Sequence, residues 1–339
     1  MKPLLVAGHG IRIAKAQDEL MKVLELGIPV VTTFNGFDLV PSDHPNFVGR
    51  IGTVGTYGGN YALKNCDTLI CVGTRNNIRQ VSYNWASFAP QARKMIVDID
   101  EAELDKPTII KGNGVALIQD AKSFLQSLLK DYNKDNIDKD WLYILKNYNN
   151  SHPIELTPPY KFIHELTSAL FDDAIVVCGN GTACVAMFQA GIVKKGQRIF
   201  WNSGCAAMGY DLPASIGACF ASGREVYCIT GDGSIQMNLQ ELQTIKYHNL
   251  PIKIFVLNNN GYRSLEMTQD NYFKGDYIGC NEQSGISFPS FEGLAELYDL
   301  KYYNGYERLE EMIYYPGGLL CEVHIGNSYI INPKFTNSL

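Results

Sequence analysis

Residues 225–258 limit the possible folds of this chain more than any other segment does. They read "EVYCITGDGSIQMNLQELQTIKYHNLPIKIFVLN": an apolar run, a Gly-Asp-Gly turn, a segment of helical period and a second apolar run. A strand, a helix and a second strand in this order form a right-handed crossover in a parallel sheet. The carboxyl ends of both strands then share one edge of the sheet, so we expect Asp232 and Asn259 to lie close together there.

The rest of the chain alternates between apolar runs and amphipathic segments in the same way. This alternation predicts an α/β protein with two doubly wound domains and mainly parallel sheets. We assign residues 1–130 to the first domain and 152–339 to the second. Between them, residues 131–151 are rich in Asp, Asn and Lys, which is typical of an interdomain connection with at most one helix. Helices are predicted at 14–27, 58–66, 117–132, 159–170, 182–190, 209–222, 238–247 and 290–298, and strands at 3–8, 28–33, 67–73, 94–100, 174–178, 225–230, 252–257, 300–303 and 319–325.

Composition excludes several classes of partner. The net charge of -6 offers no basic face for nucleic acid and no polybasic patch for a membrane. None of the nine cysteines forms a C-x-x-C pair, which favours a reducing compartment. The N-terminal residues do not resemble a signal peptide, and no apolar stretch reaches the ~18 residues that would span a bilayer. We therefore predict a soluble, cytoplasmic protein.

The Gly-Asp-Gly turn and the triple asparagine 258–260 carry hard oxygen ligands. A carboxylate, an amide oxygen and a backbone carbonyl are too few to enclose a cation, but they suit Mg²⁺ that shares its ligands with a phosphate. Gly231 and Gly233 let the backbone approach a diphosphate, and Ser234 adds a hydroxyl. A tight turn followed by an ordinary Asn-Gly loop is the alternative.

This segment resembles the cofactor motif of thiamine-diphosphate enzymes, and the resemblance implies a ligand set. Mg²⁺ would be bound by Asp232, Asn259 and the carbonyl of Gly261. "NSGCAAMGYDLPASIGA" (202–218) resembles the segment whose bulky residue, here Met208, wedges the bent cofactor, with backbone contacts at Ala206. "GNGTACVA" (179–186) resembles the loop that touches the diphosphate. The implied cofactor residues are Gly181, Thr182, Ala206, Met208, Gly231, Asp232, Gly233, Ser234, Asn259, Gly261 and Tyr262.

The first half resembles the middle, Rossmann-like domain of acetolactate-synthase-like enzymes, through "GTYGGNYALKNCDTLICVGTRNNIRQV" and "APQARKMIVDIDEAELDK". That domain holds FAD or a nucleotide in some relatives, which makes Arg75 a candidate FAD residue. "GHGIRIA" (8–14) is an imperfect dinucleotide fingerprint or a strand-to-helix turn. His9 within it either faces a ligand or is a solvated loop histidine.

The resemblance implies a 2-oxo-acid decarboxylase or carboligase, with a 2-oxo acid as substrate and thiamine diphosphate and Mg²⁺ as cofactors. In that family the catalytic glutamate lies in a pyrimidine-binding domain of the partner subunit. We find no equivalent here, so we assign no catalytic residue and interpret Glu241 as structural. Either the sequence is a fragment or the pyrimidine domain is a separate chain. A chain of this kind would have little activity alone and would self-associate into a homo-oligomer, with residues 262–286 as a mobile lid. The alternative is a non-catalytic scaffold that binds a nucleotide or cofactor.

Overall fold

A computed structural model of the chain describes residues 1–106 and 114–335. The chain divides into two compact units, Met1–Glu155 with the residues from Ile331 onward, and Leu156–Ile330. The domain limits drawn from the sequence stay a prediction, and residues 131–155 group with the first unit in the structure. Each unit is built on a sheet of six parallel strands flanked by helices, which confirms the predicted α/β class.

The first sheet has the strand order β3-β2-β1-β4-β5-β6. Its strands are β1 Pro3–Ala7, β2 Val30–Thr32, β3 Phe47–Arg50, β4 Thr68–Val72, β5 Arg93–Asp98 and β6 Val115–Ile118. The inner strands β1, β2 and β4 are short, buried and mainly apolar runs, because a buried core lies on each face of the sheet. Strand order reverses between β1 and β4, so the crevice where such folds bind ligands lies at the carboxyl ends of these two strands.

Helices of the first unit mostly follow the predicted pattern. The predicted helix 117–132 begins later, because Val115–Ile118 pairs with β5 and the side chain of Asp120 caps the helix that follows. Helix Trp141–Ser151 packs into the core of this unit, with Trp141 and Leu145 buried. The α-helices are Gly10–Ile13, Gln17–Leu24, Tyr57–Asn65, Ile78–Val81, Glu101–Leu104, Ala121–Asp131 and Trp141–Ser151.

The second sheet has the strand order β11-β12-β10-β9-β7-β8. Its strands are β7 Ile175–Cys178, β8 Arg198–Phe200, β9 Val226–Gly231, β10 Ile252–Asn258, β11 Lys301–Asn304 and β12 Leu319–His324. Strands β9 and β10 pair in parallel, Val226–Gly231 against Ile252–Leu257, as the crossover predicts. The chain moves from β7 to β8 on one side and returns to β9 on the other, so the carboxyl ends of β7 and β9 flank the second crevice.

Helices of the second unit are Pro158–Ala169, Thr182–Ala190, Asp211–Ser222, Asp232–Ile235, Leu242–His248, Arg263–Phe273, Phe291–Leu297 and Leu309–Tyr314. The predicted helix 238–247 differs most from the structure. Residues Gln236–Glu241 form a tighter 3-10 turn, and the α-helix begins only at Leu242. Of the helices in residues 1–106 and 114–335, none has the length and apolarity needed to cross a bilayer.

Candidate functional site

The Asp232 carboxylate sits at the carboxyl end of β9 and binds the loop that follows β10. Its Oδ1 accepts a hydrogen bond from the N–H of Gly233 at 2.7 Å. Its Oδ2 accepts hydrogen bonds from the N–H groups of Asn259 at 3.0 Å and Gly261 at 3.2 Å. The side chain is nearly inaccessible, and burial raises the pKa of Asp232 to about 6 against the opposing effect of these N–H groups. The crossover therefore brings Asp232 and Asn259 together, and backbone N–H groups surround the Asp232 carboxylate.

The Asn259 amide and the Gly261 carbonyl both approach this carboxylate. One end of the amide lies 3.0 Å from the carbonyl oxygen of Gly261 and 3.2 Å from Asp232 Oδ2, and its other end faces the Asn327 side chain at 3.0 Å. In the protein alone the amide nitrogen belongs at this end, because there it donates to both oxygens, whereas an amide oxygen would be repelled by them. Turned by 180°, the amide would present its oxygen beside the other two instead. An octahedral Mg²⁺ with ligands at 2.0–2.1 Å holds neighbouring oxygens about 2.9 Å apart, so the observed spacing fits such an ion.

The two glycines of the Gly-Asp-Gly turn have different surroundings. A Cβ atom at Gly231 would meet only Ser234 Cβ, at 4.0 Å, so there is space beside this backbone. A Cβ atom at Gly233 would lie 2.1 Å from the Tyr262 ring, which packs directly on the turn. Tyr262 is fixed in turn by its own N–H, which donates to the carbonyl of Cys280 at 2.7 Å. The sequence-based candidates in this turn therefore form one packed group around Asp232.

The loop that carries Met208 is tied down on both sides of that residue. Asn180 Nδ2 donates to the carbonyl of Ala207 at 2.6 Å, and Asn238 Nδ2 donates to the carbonyl of Gly209 at 2.6 Å. Met208 itself is 46% exposed, so its side chain projects from this fixed loop. Ala206 adopts a left-handed backbone conformation with φ of 52°, which costs energy for any residue with a Cβ. The loop thus presents an apolar side chain on a rigid support.

The turn after β7 begins the helix Thr182–Ala190. Gly181 precedes it with φ of 69°, a conformation that favours glycine. The hydroxyl of Thr182 is hydrogen-bonded to the hydroxyl of Tyr329, and the Tyr329 ring is buried. Burial raises the pKa of Tyr329 to about 12, so its phenol stays protonated at neutral pH. Gly181 and Thr182 therefore lie at the carboxyl edge of the sheet, where the resemblance expects a diphosphate.

Comparison with known proteins decides the family. Residues 1–128 match the family model described as "Thiamine pyrophosphate enzyme, central domain". Residues 179–314 match the model described as "Thiamine pyrophosphate enzyme, C-terminal TPP binding domain". The chain belongs to the thiamine pyrophosphate enzymes. The predicted resemblance is confirmed over both halves of the chain.

Within this family the chain is similar to acetolactate synthase large subunits. It is 33% identical to the acetolactate synthase large subunit of Cyanidium caldarium over 96% of this chain and 58% of that protein. It is 32% identical to a probable acetolactate synthase large subunit of Methanococcus aeolicus over 88% of this chain and 53% of the relative. It is 33% identical to the chloroplastic acetolactate synthase 1 of Zea mays over 88% and 49%, respectively. The chain spans about half the length of the curated relatives it matches.

Two residues of this thiamine pyrophosphate enzyme reach the site without having been identified from the sequence. Asp211 is fully buried beside Ser234, and Tyr329 contacts Thr182 from 147 positions away. The segment "GYDLP" indicates a role for Asp211, because an acidic residue among apolar residues at the start of a helix needs a hydrogen-bond partner if it is buried. No sequence signal identified Tyr329, since its contact depends on the path of the last residues of the unit.

Three further sequence-based candidates have local explanations. Glu241 Oε2 accepts a hydrogen bond from Thr244 Oγ1 at 2.9 Å, which fits the structural interpretation. His9 Nδ1 lies 3.0 Å from the carbonyl oxygen of Asn35. The side chain of Arg75, the candidate FAD residue, is 70% exposed and pairs with Glu103 at 3.2 Å.

The segment after the triple asparagine, predicted to be a mobile lid, begins with a helix. Residues 262–286 contain the helix Arg263–Phe273 and then a stretch of turns, and their mobility stays a prediction. A polar cavity of about 490 Å³ borders this segment and includes Asn259 in its wall. In the part of the chain that the structure describes, no three His, Cys, Asp or Glu side chains form a metal-binding group. The ligand set implied at this site contains only one such side chain, that of Asp232, together with an amide and a backbone carbonyl.

Proposed function

We propose that the second unit binds thiamine diphosphate through a Mg²⁺ ion held by Asp232, Asn259 and the carbonyl of Gly261. The observation that carries this proposal is that one end of the Asn259 amide lies 3.0 Å from the carbonyl oxygen of Gly261 and 3.2 Å from Asp232 Oδ2, so these three groups meet at one point. A cation there would keep the carboxylate ionised in spite of its burial, because an adjacent positive charge lowers a carboxyl pKa. Mg²⁺ retains several coordination positions for phosphate and water, so three protein ligands are enough.

The remaining candidates would divide the cofactor between them. Gly181, Thr182, Gly231, Gly233 and Ser234 would surround the diphosphate, where backbone N–H groups and hydroxyls are suitable donors. The exposed side chain of Met208 would support the bend of the cofactor, with backbone contacts from Ala206 to the aminopyrimidine. Tyr262 would hold the Gly-Asp-Gly turn in shape from the outside. Binding would therefore cover the one large apolar side chain that the fixed loop exposes.

We propose that the reaction is decarboxylation of a 2-oxo acid, with or without transfer to a second carbonyl. Thiamine diphosphate supplies a nucleophilic carbon and an electron sink for such reactions. The residues of this chain bind and orient that cofactor and are assigned no proton transfer. A catalytic glutamate on a pyrimidine-binding domain would supply the acid–base function, so turnover requires that domain, in an oligomer in which the two meet. FAD binding in the first unit stays a separate proposal, and the absorption spectrum of the purified protein tests it.

Isothermal titration of thiamine diphosphate with Mg²⁺ into the full chain tests the proposal. We expect saturable binding by the wild type and a loss of at least about 100-fold in affinity for Asp232→Ala, because the variant removes the only charged ligand of the set. Asp172→Asn is the matched control, since this exposed carboxylate precedes β7 at the opposite edge of the same sheet. Equal affinity in Asp232→Ala and wild type would contradict the metal site. A folded wild type that binds nothing would favour the scaffold alternative.

Activity is tested by adding a pyrimidine-binding domain. We expect carbon dioxide release from pyruvate only when the full chain, thiamine diphosphate, Mg²⁺ and the pyrimidine domain of an acetolactate synthase are combined. The same mixture with Asp232→Ala is the control. Equal turnover by the chain alone would show that the chemistry does not need that domain.

A further inference from the structure

Asp211 is a buried acidic residue with no part in the proposed ligand set. It begins the helix Asp211–Ser222 and is fully inaccessible to solvent. Hydrogen bonds hold its carboxylate there: Leu212 N donates to Oδ1 at 2.9 Å and Ser234 Oγ donates to Oδ2 at 2.7 Å. Burial raises the pKa of Asp211, so the position is an energetically costly one for a carboxylate. The contacts of the Asp211 carboxylate should therefore show what this buried residue contributes.

The carboxylate fixes the direction of a hydrogen-bond relay. Asp211 Oδ2 accepts the hydrogen of the Ser234 hydroxyl, so this hydroxyl turns its lone pairs toward the loop. There it accepts the N–H of Gly209 at 2.9 Å. Gly209 follows Met208 directly, so the relay ends at the backbone that carries the proposed wedge residue.

The same carboxylate contacts the loop on the other side of the crevice. A Cβ atom at Gly179 would lie 2.2 Å from Asp211 Oδ2, so the turn that leads to Gly181 and Thr182 lies against the carboxylate. Asn180 from that turn holds the carbonyl of Ala207. The turns at 179–182 and 231–234 therefore meet at this buried side chain, and the loop at 206–209 is joined to them through Ser234 and Asn180.

We propose that Asp211 is a positioning residue that sets the distance between the diphosphate end and the aminopyrimidine end of the cofactor site. The inference rests on the proposed function. Asp211 touches neither Mg²⁺ nor cofactor; it acts through Ser234 and Gly209 on the place of Met208. Loss of the relay releases the Met208 loop while Asp232, Asn259 and Gly261 keep their arrangement.

This division predicts that two ligands respond differently to the same substitution. Thiamine diphosphate uses both ends of the site, whereas inorganic diphosphate with Mg²⁺ uses only the metal end. In Asp211→Asn the amide nitrogen takes the place of Oδ2, because the amide oxygen stays with the N–H of Leu212, and the donor sense of the relay is reversed. We expect affinity for thiamine diphosphate to fall about fivefold in Asp211→Asn and about 20-fold in Asp211→Ala, with diphosphate affinity within about twofold of wild type in both.

Calorimetric titration of both ligands into the full-length wild type, Asp211→Asn, Asp211→Ala and a control variant measures this. The control is Ser215→Ala, which removes a buried hydroxyl of the same helix that donates to the backbone carbonyl of Asp211 at 2.8 Å. Asp211→Asn has the size of the native side chain and decides the matter if Asp211→Ala does not fold. Equal weakening of both ligands would mean a merely structural role and overturn the inference, as would no change in either. Absence of thiamine diphosphate binding in the wild type would instead reject the proposed function.

Discussion

Two turns of the same form have different surroundings in the two units. Gly8-His9-Gly10 follows β1 of the first sheet, and Gly231-Asp232-Gly233 ends β9 of the second. Each turn leads into a four-residue helix at the carboxyl edge of a six-stranded parallel sheet. Sequence alone makes both of them candidates for a phosphate-binding turn.

Neighbouring loops make the difference between the two turns. In the first unit the loop after β4 fills the space: a Cβ at Gly8 would lie 2.2 Å from the carbonyl oxygen of Gly73, and one at Gly10 would lie 2.7 Å from its Cα. In the second unit a Cβ at Gly231 would meet nothing nearer than 4.0 Å. Glycines in the first turn therefore serve backbone packing, whereas Gly231 leaves space beside its own backbone. A glycine pattern predicts a close approach, and the neighbouring strand decides whether protein or ligand makes it.

The largest expected effect on stability comes from adding a methyl group at Gly8, where the first turn already packs closely against the backbone of Gly73. Gly8→Ala forces a methyl group against a carbonyl of the backbone, which cannot move aside as a side chain would, so we expect a loss of about 2–3 kcal/mol in the free energy of unfolding. Gly231→Ala is the matched substitution in the second turn, and we expect a change below about 0.5 kcal/mol. Urea denaturation followed by circular dichroism measures both. Similar losses in the two variants would remove the distinction between the turns.

A smaller effect is expected from the hydroxyl that reaches the second site from Tyr329. Tyr329→Phe leaves the Thr182 hydroxyl without this partner, and we expect a loss of about fivefold, near 1 kcal/mol, in affinity for thiamine diphosphate. Tyr303→Phe is the control, because its buried ring and its hydroxyl bond to Glu311 are alike in kind but belong to β11. Calorimetric titration compares the three proteins. An unchanged affinity in Tyr329→Phe would show that Thr182 is oriented without it.

The smallest expected effect concerns the strained loop beside the second site. Ala206 holds φ of 52°, so Ala206→Gly removes a steric cost, and we expect a gain of about 0.5–1 kcal/mol in the free energy of unfolding. Ala207→Gly makes the same chemical change at a neighbour outside the left-handed region and should lower stability by up to about 1 kcal/mol. Thermal unfolding measures the two shifts, which should have opposite signs. Losses in both would mean that the methyl group of Ala206 is needed for packing.

The fold was largely predictable because its signals are local. Apolar runs such as β9 and β10 and the helix between them follow from period and length, and the crossover rule then brings Asp232 to Asn259. Helix Thr182–Ala190 was predicted with the bounds that the structure has, since glycines mark both of its ends. The helix predicted from residue 117 was wrong at its start, because Val115–Ile118 pairs with β5, and edge-strand pairing leaves little trace in sequence.

The supporting residues of the site were less predictable because their contacts are not local. Asp211 meets Ser234 across 23 positions and Gly179 from another strand end, so its role depends on tertiary packing. Tyr329 depends on the course of a coil segment, which neither period nor propensity describes. Candidate ligands could be found from their motifs, whereas the residues that hold those ligands in place required the structure.

The distribution of the cysteines gives the molecule one natural site for thiol labelling. Eight of the nine thiols are buried, and Cys205 alone is exposed, in the loop that leads to Ala206 and Met208. A thiol reagent added to the native protein will therefore mark this loop first, and a fluorophore attached there will sense its surroundings. The rate of labelling at Cys205 can therefore report conformational changes of the Met208 loop, in this chain alone and without an engineered cysteine.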